Sequence, residues 1–172
     1  WETDKLYAKS NKEEKIIVVP ALTGLGAPHW EPNVRGAIFG LTRNSSIAEV
    51  VKATLDSLSF QTLDLIDSMK KDAKMKITEI KVDGGMVKNN NFIQSLSNVT
   101  QIKIIRPQNI ETTALGAAYL SAIQSGILKN TSQINNYSKT QRIFKPKIPK
   151  NEIKFQVIKW RKILKMLIKV YV

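Results

Sequence analysis

The amino-acid sequence predicts an α/β fold in which helices pack against a sheet. Short apolar runs rich in Ile and Val alternate along the chain with longer segments that have helical periodicity. Glycine or proline follows most of the short runs, as expected where a strand ends. With 172 residues, of which 42% are hydrophobic, the chain can bury one core, so we treat residues 1–172 as a single domain.

Composition excludes several classes of site and protein. The chain has no cysteine, which excludes disulfides and thiolate metal sites. Its longest apolar run, residues 16–19, is far shorter than the roughly 20 residues that a membrane helix needs. The polar start at residues 1–5 does not resemble a signal peptide. These features predict a cytoplasmic protein without a membrane partner.

The net charge of +13 allows two interpretations. Lys and Arg total 27 against 14 Asp and Glu, which is compatible with nucleic-acid binding. The basic residues are spread along the chain, however, and become concentrated only after Lys139, without zinc-finger spacing or an aromatic RNA-binding signature. We therefore favour a lysine-rich surface and expect no nucleic-acid partner. A non-catalytic basic binding module remains the alternative, and salt-dependent binding to nucleic acid would reveal it.

The individual elements follow from periodicity and from start and stop signals. Ser46 and Glu49 have the spacing of a capping box, and they open a long helix with an apolar stripe every three or four residues. Gly126 is the expected residue after the end of a later, alanine-rich helix. The predicted order is a polar lead-in over 1–14 that forms a loop, a strand at 15–19, a strand or bend at 35–41, a helix at 46–70, a strand at 77–82, a short helix at 90–98, a strand at 102–106, a helix at 111–125, a polar connection at 129–150 and a terminal helix at 151–172.

The order of these elements predicts how the sheet is built. A connection through a helix favours parallel pairing, so we expect the strands at 77–82 and 102–105 to be parallel neighbours. The helices at 46–70 and 111–125 are expected to pack on this sheet. The apolar stripe of the long helix is predicted to consist of Ile47, Val51, Leu55, Leu58, Thr62, Leu65 and Met69. The apolar face of the terminal helix is predicted to dock on its own domain and not on a membrane.

The segment with the strongest chemical signal is the turn after the strand at 77–82. Gly84 and Gly85 allow the backbone to turn sharply and to approach a ligand closely, because no Cβ intervenes. The N–H groups at the start of the following helix suit an anion or a nucleotide. Asn89 is placed to bond to an adenine edge or a ribose. An ordinary tight turn remains the alternative, because paired glycines after strands are common.

Three other features favour structural roles. The small residues at 112–118 predict close packing of their helix against the sheet. His29, the single histidine, has no obvious catalytic or metal-binding partner, so we assign it to the surface or to packing. The neighbouring Trp30 is interpreted as a packing aromatic.

Four segments resemble a known family. Glycerol kinases have segments that resemble residues 20–32, PALTGLGAPHWEP, and residues 35–43, RGAIFGLTR. The overlapping residues 36–56 fit the C-terminal signature of the wider FGGY carbohydrate kinases. Residues 82–85, VDGG, resemble the adenosine motif of the actin and hexokinase fold. Residues 111–118, ETTALGAA, are similar to a late helix of the family. The resemblance runs from about Lys15 to the terminal helix, although His29 stands where the family often has an aromatic.

This resemblance implies a fold, a reaction and two site residues. The fold would be the actin/hexokinase-like, ribonuclease H-like C-terminal domain, incomplete at its N-terminal edge. Gly85 and Asn89 match positions that hold ATP or ADP, which the family uses with Mg²⁺ to convert glycerol to sn-glycerol 3-phosphate. The family's catalytic aspartate and glycerol-binding residues lie upstream, so no catalytic or metal-binding residue is expected in this chain.

The same resemblance implies that glycerol binds only with the other domain, that the fragment is inactive alone and that the whole enzyme is a homo-oligomer. A fragment of another FGGY sugar kinase is the alternative within the family.

Overall fold

The computed structural model describes residues 2–11, 13–136 and 139–172, and in this part of the chain helices alternate with short strands. This alternation confirms the predicted α/β class. The elements are α1 (Glu2–Lys9), β1 (Ile17–Val19), β2 (Ala37–Phe39), α2 (Ile47–Ala73), β3 (Glu79–Lys81), α3 (Asn90–Thr100), β4 (Lys103–Pro107), α4 (Thr112–Gln124), β5 (Thr140–Phe144) and α5 (Lys150–Tyr171), with 3-10 segments at Gly85–Lys88 and Thr131–Asn136.

The strands form two small sheets. β1 and β2 pair antiparallel, with Val18 opposite Ile38. In the second sheet the order is β3-β4-β5. There β3 and β4 are parallel, with Ile80 opposite Ile104, whereas β4 and β5 are antiparallel. The predicted parallel pairing of the strands near 80 and 104 is therefore confirmed.

The prediction of a loop over residues 1–14 is wrong, because α1 occupies most of that segment. Contacts to distant residues, among them the following two hydrogen bonds, hold α1 in place. The Asp4 carboxylate accepts a hydrogen bond from the backbone N–H of Asn91 (3.2 Å), and the Tyr7 hydroxyl donates to Asp56 (2.6 Å). Both partners are distant in sequence, so local composition does not reveal the helix.

Residues 129–150 were predicted as a plain connection, but they contain β5. This strand lies at the edge of its sheet, and its first four residues are exposed while Phe144 is buried. An edge strand with one buried residue lacks the apolar alternation that marks a half-buried strand. Its polar sequence therefore predicts a connection.

The long helix α2 begins as predicted but buries a different set of residues. The Ser46 hydroxyl accepts from the N–H of Ala48 (3.2 Å), and the Glu49 carboxylate accepts from the N–H of Ser46 (2.7 Å), so the capping box is confirmed. Part of the predicted stripe is exposed, since Ile47 and Met69 are 66% and 50% accessible. The residues of α2 buried in its place are Ala48, Glu49, Ala53, Ser57, Ser59, Phe60, Asp64 and Ile66.

The core has two main parts, one on each sheet. On the β1–β2 sheet, Trp160 of α5 stacks on Phe60 of α2, with ring centroids 5.6 Å apart. Trp160 also donates its indole N–H to the carbonyl of Val18 (3.4 Å), which confirms that α5 docks on its own domain. On the β3–β4–β5 sheet, Ile93 of α3 packs with Ile104 and Phe144.

The helix α4 does not pack as predicted. The structure describes all of its residues, and it buries none of them. A Cβ placed on Gly116 would meet no described atom within 4 Å, so the small residues of α4 do not serve close packing here. Its end is as predicted, with Gly126 at a positive φ of 77°. Among the described helices, none has the length and apolar character needed to cross a membrane.

Candidate functional site

The glycine turn, residues 83–89, carries the chain from β3 to α3. Just before it, the N–H of Val82 still donates to the carbonyl of Ile105 (3.1 Å), so the chain stays on the sheet up to that residue. Gly84 then adopts φ 82° and ψ 178°, a region that essentially only glycine occupies. Its N–H donates to the carbonyl of Ile110 (2.9 Å). This glycine is therefore required by the backbone path that leaves the sheet.

Gly85 and Met86 form the exposed front of the glycine turn. They begin the 3-10 segment, which is closed by the N–H of Val87 donating to the carbonyl of Gly84 (3.3 Å). Among the described residues, the N–H groups of Gly85 and Met86 find no acceptor. Successive backbone N–H groups on an exposed turn form a concave donor set that suits a phosphate oxygen. A nucleotide contact at Gly85 stays a prediction.

Asn89 has a structural role that the sequence analysis missed. It is the N-cap of α3, where its side-chain oxygen accepts from the N–H of Phe92 (2.8 Å). Its side-chain nitrogen donates to the hydroxyl of Thr3 (3.4 Å), and the residue is only 4% exposed. An asparagine just before a helical pattern is a recognised N-cap signal. A nucleotide contact of Asn89 stays a prediction, and capping is what its side chain does in this structure.

Arg106 lies behind the glycine turn and was also missed by the sequence analysis. Its guanidinium donates to the carbonyl of Val87 and to the side-chain oxygen of Gln141, each at 2.6 Å. It also lies 5.2 Å from the ring centroid of Phe144. Burial lowers the pKa of Arg106, and the nearby charge of Arg142 lowers it further. A signal was available, because strand alternation puts Arg106 on the same face as the buried Ile104.

A cleft of about 480 Å³ lies beside the glycine turn. It is lined by Asp83 from the turn, by Thr112 at the start of α4 and by two lysines, Lys81 and Lys139. Alternate residues of β4, Ile105 and Pro107, form part of its wall, so it is on the face of the sheet opposite Arg106. The carboxylates of Glu79 and Asp83 line it as well, so its two lysines are balanced by two acidic residues and its charge alone does not favour an anion.

The carboxylates of α2 hold helices together. Asp56 accepts from the hydroxyls of Tyr7 and Ser95, each at 2.6 Å, and pairs with Lys52. Burial raises the pKa of Tyr7, and the Asp56 charge reinforces the shift. Arg161 of α5 binds two further carboxylates of α2, those of Asp64 (2.6 Å) and Asp67 (2.7 Å).

His29 and Trp30 differ in how far they match their predicted roles. The imidazole Nε2 of His29 lies 3.6 Å from the Asp64 carboxylate, and the side chain is 28% exposed, in line with a packing role. Trp30 is 74% exposed, so its interpretation as a packing aromatic is wrong. Its loop turns outward with a positive φ of 53° at this residue.

A family model, relatives in sequence and solved structures all indicate one family. The model of the C-terminal domain of the FGGY family of carbohydrate kinases matches residues 1–125. The chain is 42% identical to the glycerol kinase of Streptococcus gordonii over 165 residues, and 41% identical to that of Enterococcus casseliflavus over 151 residues. These alignments cover 95% and 88% of this chain, but only 33% and 30% of the relatives.

Solved structures agree with this assignment. A crystal structure of Plasmodium falciparum glycerol kinase with ADP superposes with a TM-score of 0.85 at 28% identity, over 96% of this chain and 33% of that one. A gluconate kinase from Lactobacillus acidophilus, at 22% identity and TM-score 0.80 over 99% of this chain and 35% of that one, shows the same fold. The fold is thus the actin/hexokinase-like fold of the sugar kinases, and the chain spans about a third of the length of the relatives it matches. The chain belongs to the FGGY family of carbohydrate kinases and carries its C-terminal domain.

Proposed function

We propose that this chain is the C-terminal, nucleotide-binding part of a glycerol kinase, which transfers the γ-phosphoryl group of ATP to glycerol and gives sn-glycerol 3-phosphate and ADP. The observation that carries the proposal is 42% identity to a glycerol kinase over 95% of the chain. The presence of ADP in the P. falciparum relative supports a nucleotide site.

The glycine turn would supply the contacts to the nucleotide. The N–H groups of Gly85 and Met86 would hold phosphate oxygens, and the absence of a side chain on Gly85 lets these oxygens approach the backbone. Asn89 would contribute through its helix cap and through the predicted contact to the adenosine. Mg²⁺ carried by the phosphates would neutralise charge that develops during transfer.

The rest of the reaction belongs to the part of the relatives that this chain does not span. The catalytic base and the glycerol site are proposed to lie there, in a cytoplasmic homo-oligomer. Holding two reactants in place can contribute roughly 7–11 kcal/mol to lowering a barrier, so we expect the chain alone to show no glycerol-dependent release of ADP. A coupled assay on the purified chain checks this expectation. Turnover that is lost in Asp83→Ala would place the catalytic machinery within the chain and contradict this part of the proposal.

The substitution Gly85→Val tests the nucleotide site. A branched side chain at the front of the glycine turn would keep phosphate oxygens away from the N–H groups, so we expect MgADP to bind at least about tenfold more weakly. Calorimetric titration of the full 172-residue chain measures this change. Gly116→Ala, on the exposed helix α4, is the matched control and should bind MgADP as the unsubstituted chain does. Equal affinity in Gly85→Val and the control would remove Gly85 from the site.

A screen of the whole protein separates glycerol kinase from other FGGY sugar kinases. ATP consumption would be compared with glycerol, xylulose and gluconate as acceptors, because xylulose and gluconate kinases share the fold. The proposal expects glycerol to have the highest kcat/KM. Preference for a sugar or for gluconate would overturn the substrate and leave the family unchanged.

A further inference from the structure

The glycine turn is held from behind by one buried arginine. Arg106 is 7% exposed and reaches from β4 to the carbonyl of Val87, within the 3-10 segment that starts at Gly85. We propose that Arg106 is a positioning residue of the nucleotide site, which fixes the glycine turn so that the N–H groups of Gly85 and Met86 point at the bound phosphates. This inference rests on the proposed nucleotide-binding function.

Three contacts on two elements, the glycine turn and β5, define the orientation of the guanidinium. One N–H group donates to Val87 of the turn, and the Nε–H donates to Gln141 of β5. The central carbon of the group, Cζ, lies over the ring of Phe144, also on β5, at 5.2 Å from its centroid. A planar fork with several donors can satisfy all three contacts at once, whereas an ammonium group cannot. Arg106 therefore transmits the position of the β4–β5 pair to the turn.

The buried positive charge of Arg106 is a second reason to assign it to the nucleotide site. Buried charges are usually paired with an opposite charge, because removing an ion from water is costly. In the part of the chain that the structure describes, Arg106 has no carboxylate partner, and its acceptors are the carbonyl of Val87 and the side-chain oxygen of Gln141. The positive charge behind the turn is therefore not neutralised by the protein. A phosphate at the front of the turn would offset part of it.

Arg142, whose guanidinium also lies over the ring of Phe144, provides a matched control. Its guanidinium lies 4.6 Å from the Phe144 centroid, closer than that of Arg106. Arg142 is exposed, and its hydrogen bond goes to the side chain of Asn90 at 3.5 Å, with no contact to the carbonyl of Val87. Loss of a guanidinium over Phe144 is thus common to the two Arg→Lys variants, whereas loss of the hydrogen bond to the turn is specific to Arg106.

The experiment compares the unsubstituted chain with Arg106→Lys and Arg142→Lys. Calorimetric titration with MgADP should show a Kd raised at least about tenfold in Arg106→Lys and changed less than about twofold in Arg142→Lys. Hydrogen exchange of the backbone supplies a readout that a general loss of stability would not produce. In Arg106→Lys the hydrogen-bonded amides of Val87 and Asn89 in the turn should exchange faster, while the amides of α2 and α5 keep their rates.

A second variant keeps the test decisive if Arg106→Lys does not fold. Gln141→Leu leaves the arginine in place but removes the acceptor of its Nε–H, and it should weaken MgADP binding in the same direction by a smaller factor. Unchanged affinity in whichever of the two variants folds would overturn the role of Arg106. If the unsubstituted chain itself does not bind MgADP, the proposed nucleotide site is wrong and this inference is wrong with it. If the unsubstituted chain binds MgADP but the variants bind it equally well, only the role of Arg106 is wrong. The two failures are therefore distinguishable.

Discussion

At the scale of single residues, Gly84 illustrates how the backbone path selects an amino acid. Its Cβ position is open, since no described atom lies within 4 Å of it, so space does not require glycine. The requirement comes from φ 82° and ψ 178°, where an L side chain collides with its own backbone. The neighbouring Gly85 starts a 3-10 segment, and we propose that its glycine serves instead the approach of a ligand. The two glycines therefore serve different purposes.

Gly84→Ala should lower the free energy of unfolding by about 1–3 kcal/mol, because alanine must either adopt the strained conformation or displace the turn. Urea denaturation followed by circular dichroism measures this change. Gly26→Ala is the control, since its Cβ position is also open and it lacks a positive φ. It should stay within about 0.5 kcal/mol of the unsubstituted chain. Equal effects of the two substitutions would show that backbone strain at Gly84 is not the cause.

At the scale of elements, the start of α2 is built around one carboxylate. Glu49 accepts from the backbone N–H groups of Ser46 and Asn11, each at 2.7 Å, so it ties the segment before β1 to the first turn of the helix. The hydrogen bonds to Ser46 and then to Asn11 lower the pKa of Glu49 to about 2. The carboxylate form is therefore favoured by the fold.

This depressed pKa predicts how stability depends on pH. The contribution of Glu49 is present above its ordinary pKa near 4.5, and it is lost as the pH falls from there through about 2. In Glu49→Gln the unfolding midpoint should therefore fall less steeply between pH 5 and pH 2 than in the unsubstituted chain. Glu152→Gln, at an exposed first-turn glutamate of α5, should keep the original slope. The same slope in Glu49→Gln would contradict the assignment.

In the exposed helix α4, we expect a glycine substitution to increase the free energy of unfolding. Gly116 lies in the interior of α4, and a Cβ there would contact no described atom within 4 Å. Alanine at a helical position loses less conformational freedom on folding than glycine does. Gly116→Ala should therefore raise the free energy of unfolding by roughly 0.5–1 kcal/mol, as measured by urea denaturation. Destabilisation would mean that this face of α4 packs more closely than the structure shows.

At the scale of the whole molecule, large apolar side chains are exposed at several places, and α4 is one of them. Leu120 is 67% exposed and Ile127 is 77% exposed, on or just after a helix that buries none of its described residues. The strands add unpaired edges, since β3 and β5 end one sheet and β1 and β2 form the other alone. Exposed apolar faces and open edges favour association.

We expect the isolated chain to associate as its concentration rises and to unfold in a broad transition. Leu120→Lys should reduce this association, because it places a charge on the apolar face of α4. Sedimentation velocity at several concentrations measures the effect, and Leu41→Lys, at an exposed leucine far along the chain, serves as the control. A monomer with one sharp, cooperative thermal transition would show that the chain forms a complete, stable unit.

The sequence by itself determined those features that depend on neighbouring residues. Periodicity and stop signals located β3, β4 and α3, and the order of the elements predicted the parallel pairing of β3 with β4. The capping box at Ser46 and the C-terminal glycine at Gly126 are local motifs that need no partner elsewhere. The glycine turn was equally visible, because paired glycines after a strand act through their own backbone.

The tertiary structure alone decided which polar groups are buried and which apolar ones are exposed. Helix α1 is held by a hydrogen bond from the side chain of Asn91 to the carboxylate of Asp4, and the glycine turn by a hydrogen bond from Arg106 to the carbonyl of Val87. The two residues of each pair are far apart in sequence. Conversely, α4 has the apolar composition of a packed helix but is not covered by the described residues. The physical reason is that burial depends on the partner that the fold brings to a side chain, whereas sequence periodicity reports only its near neighbours.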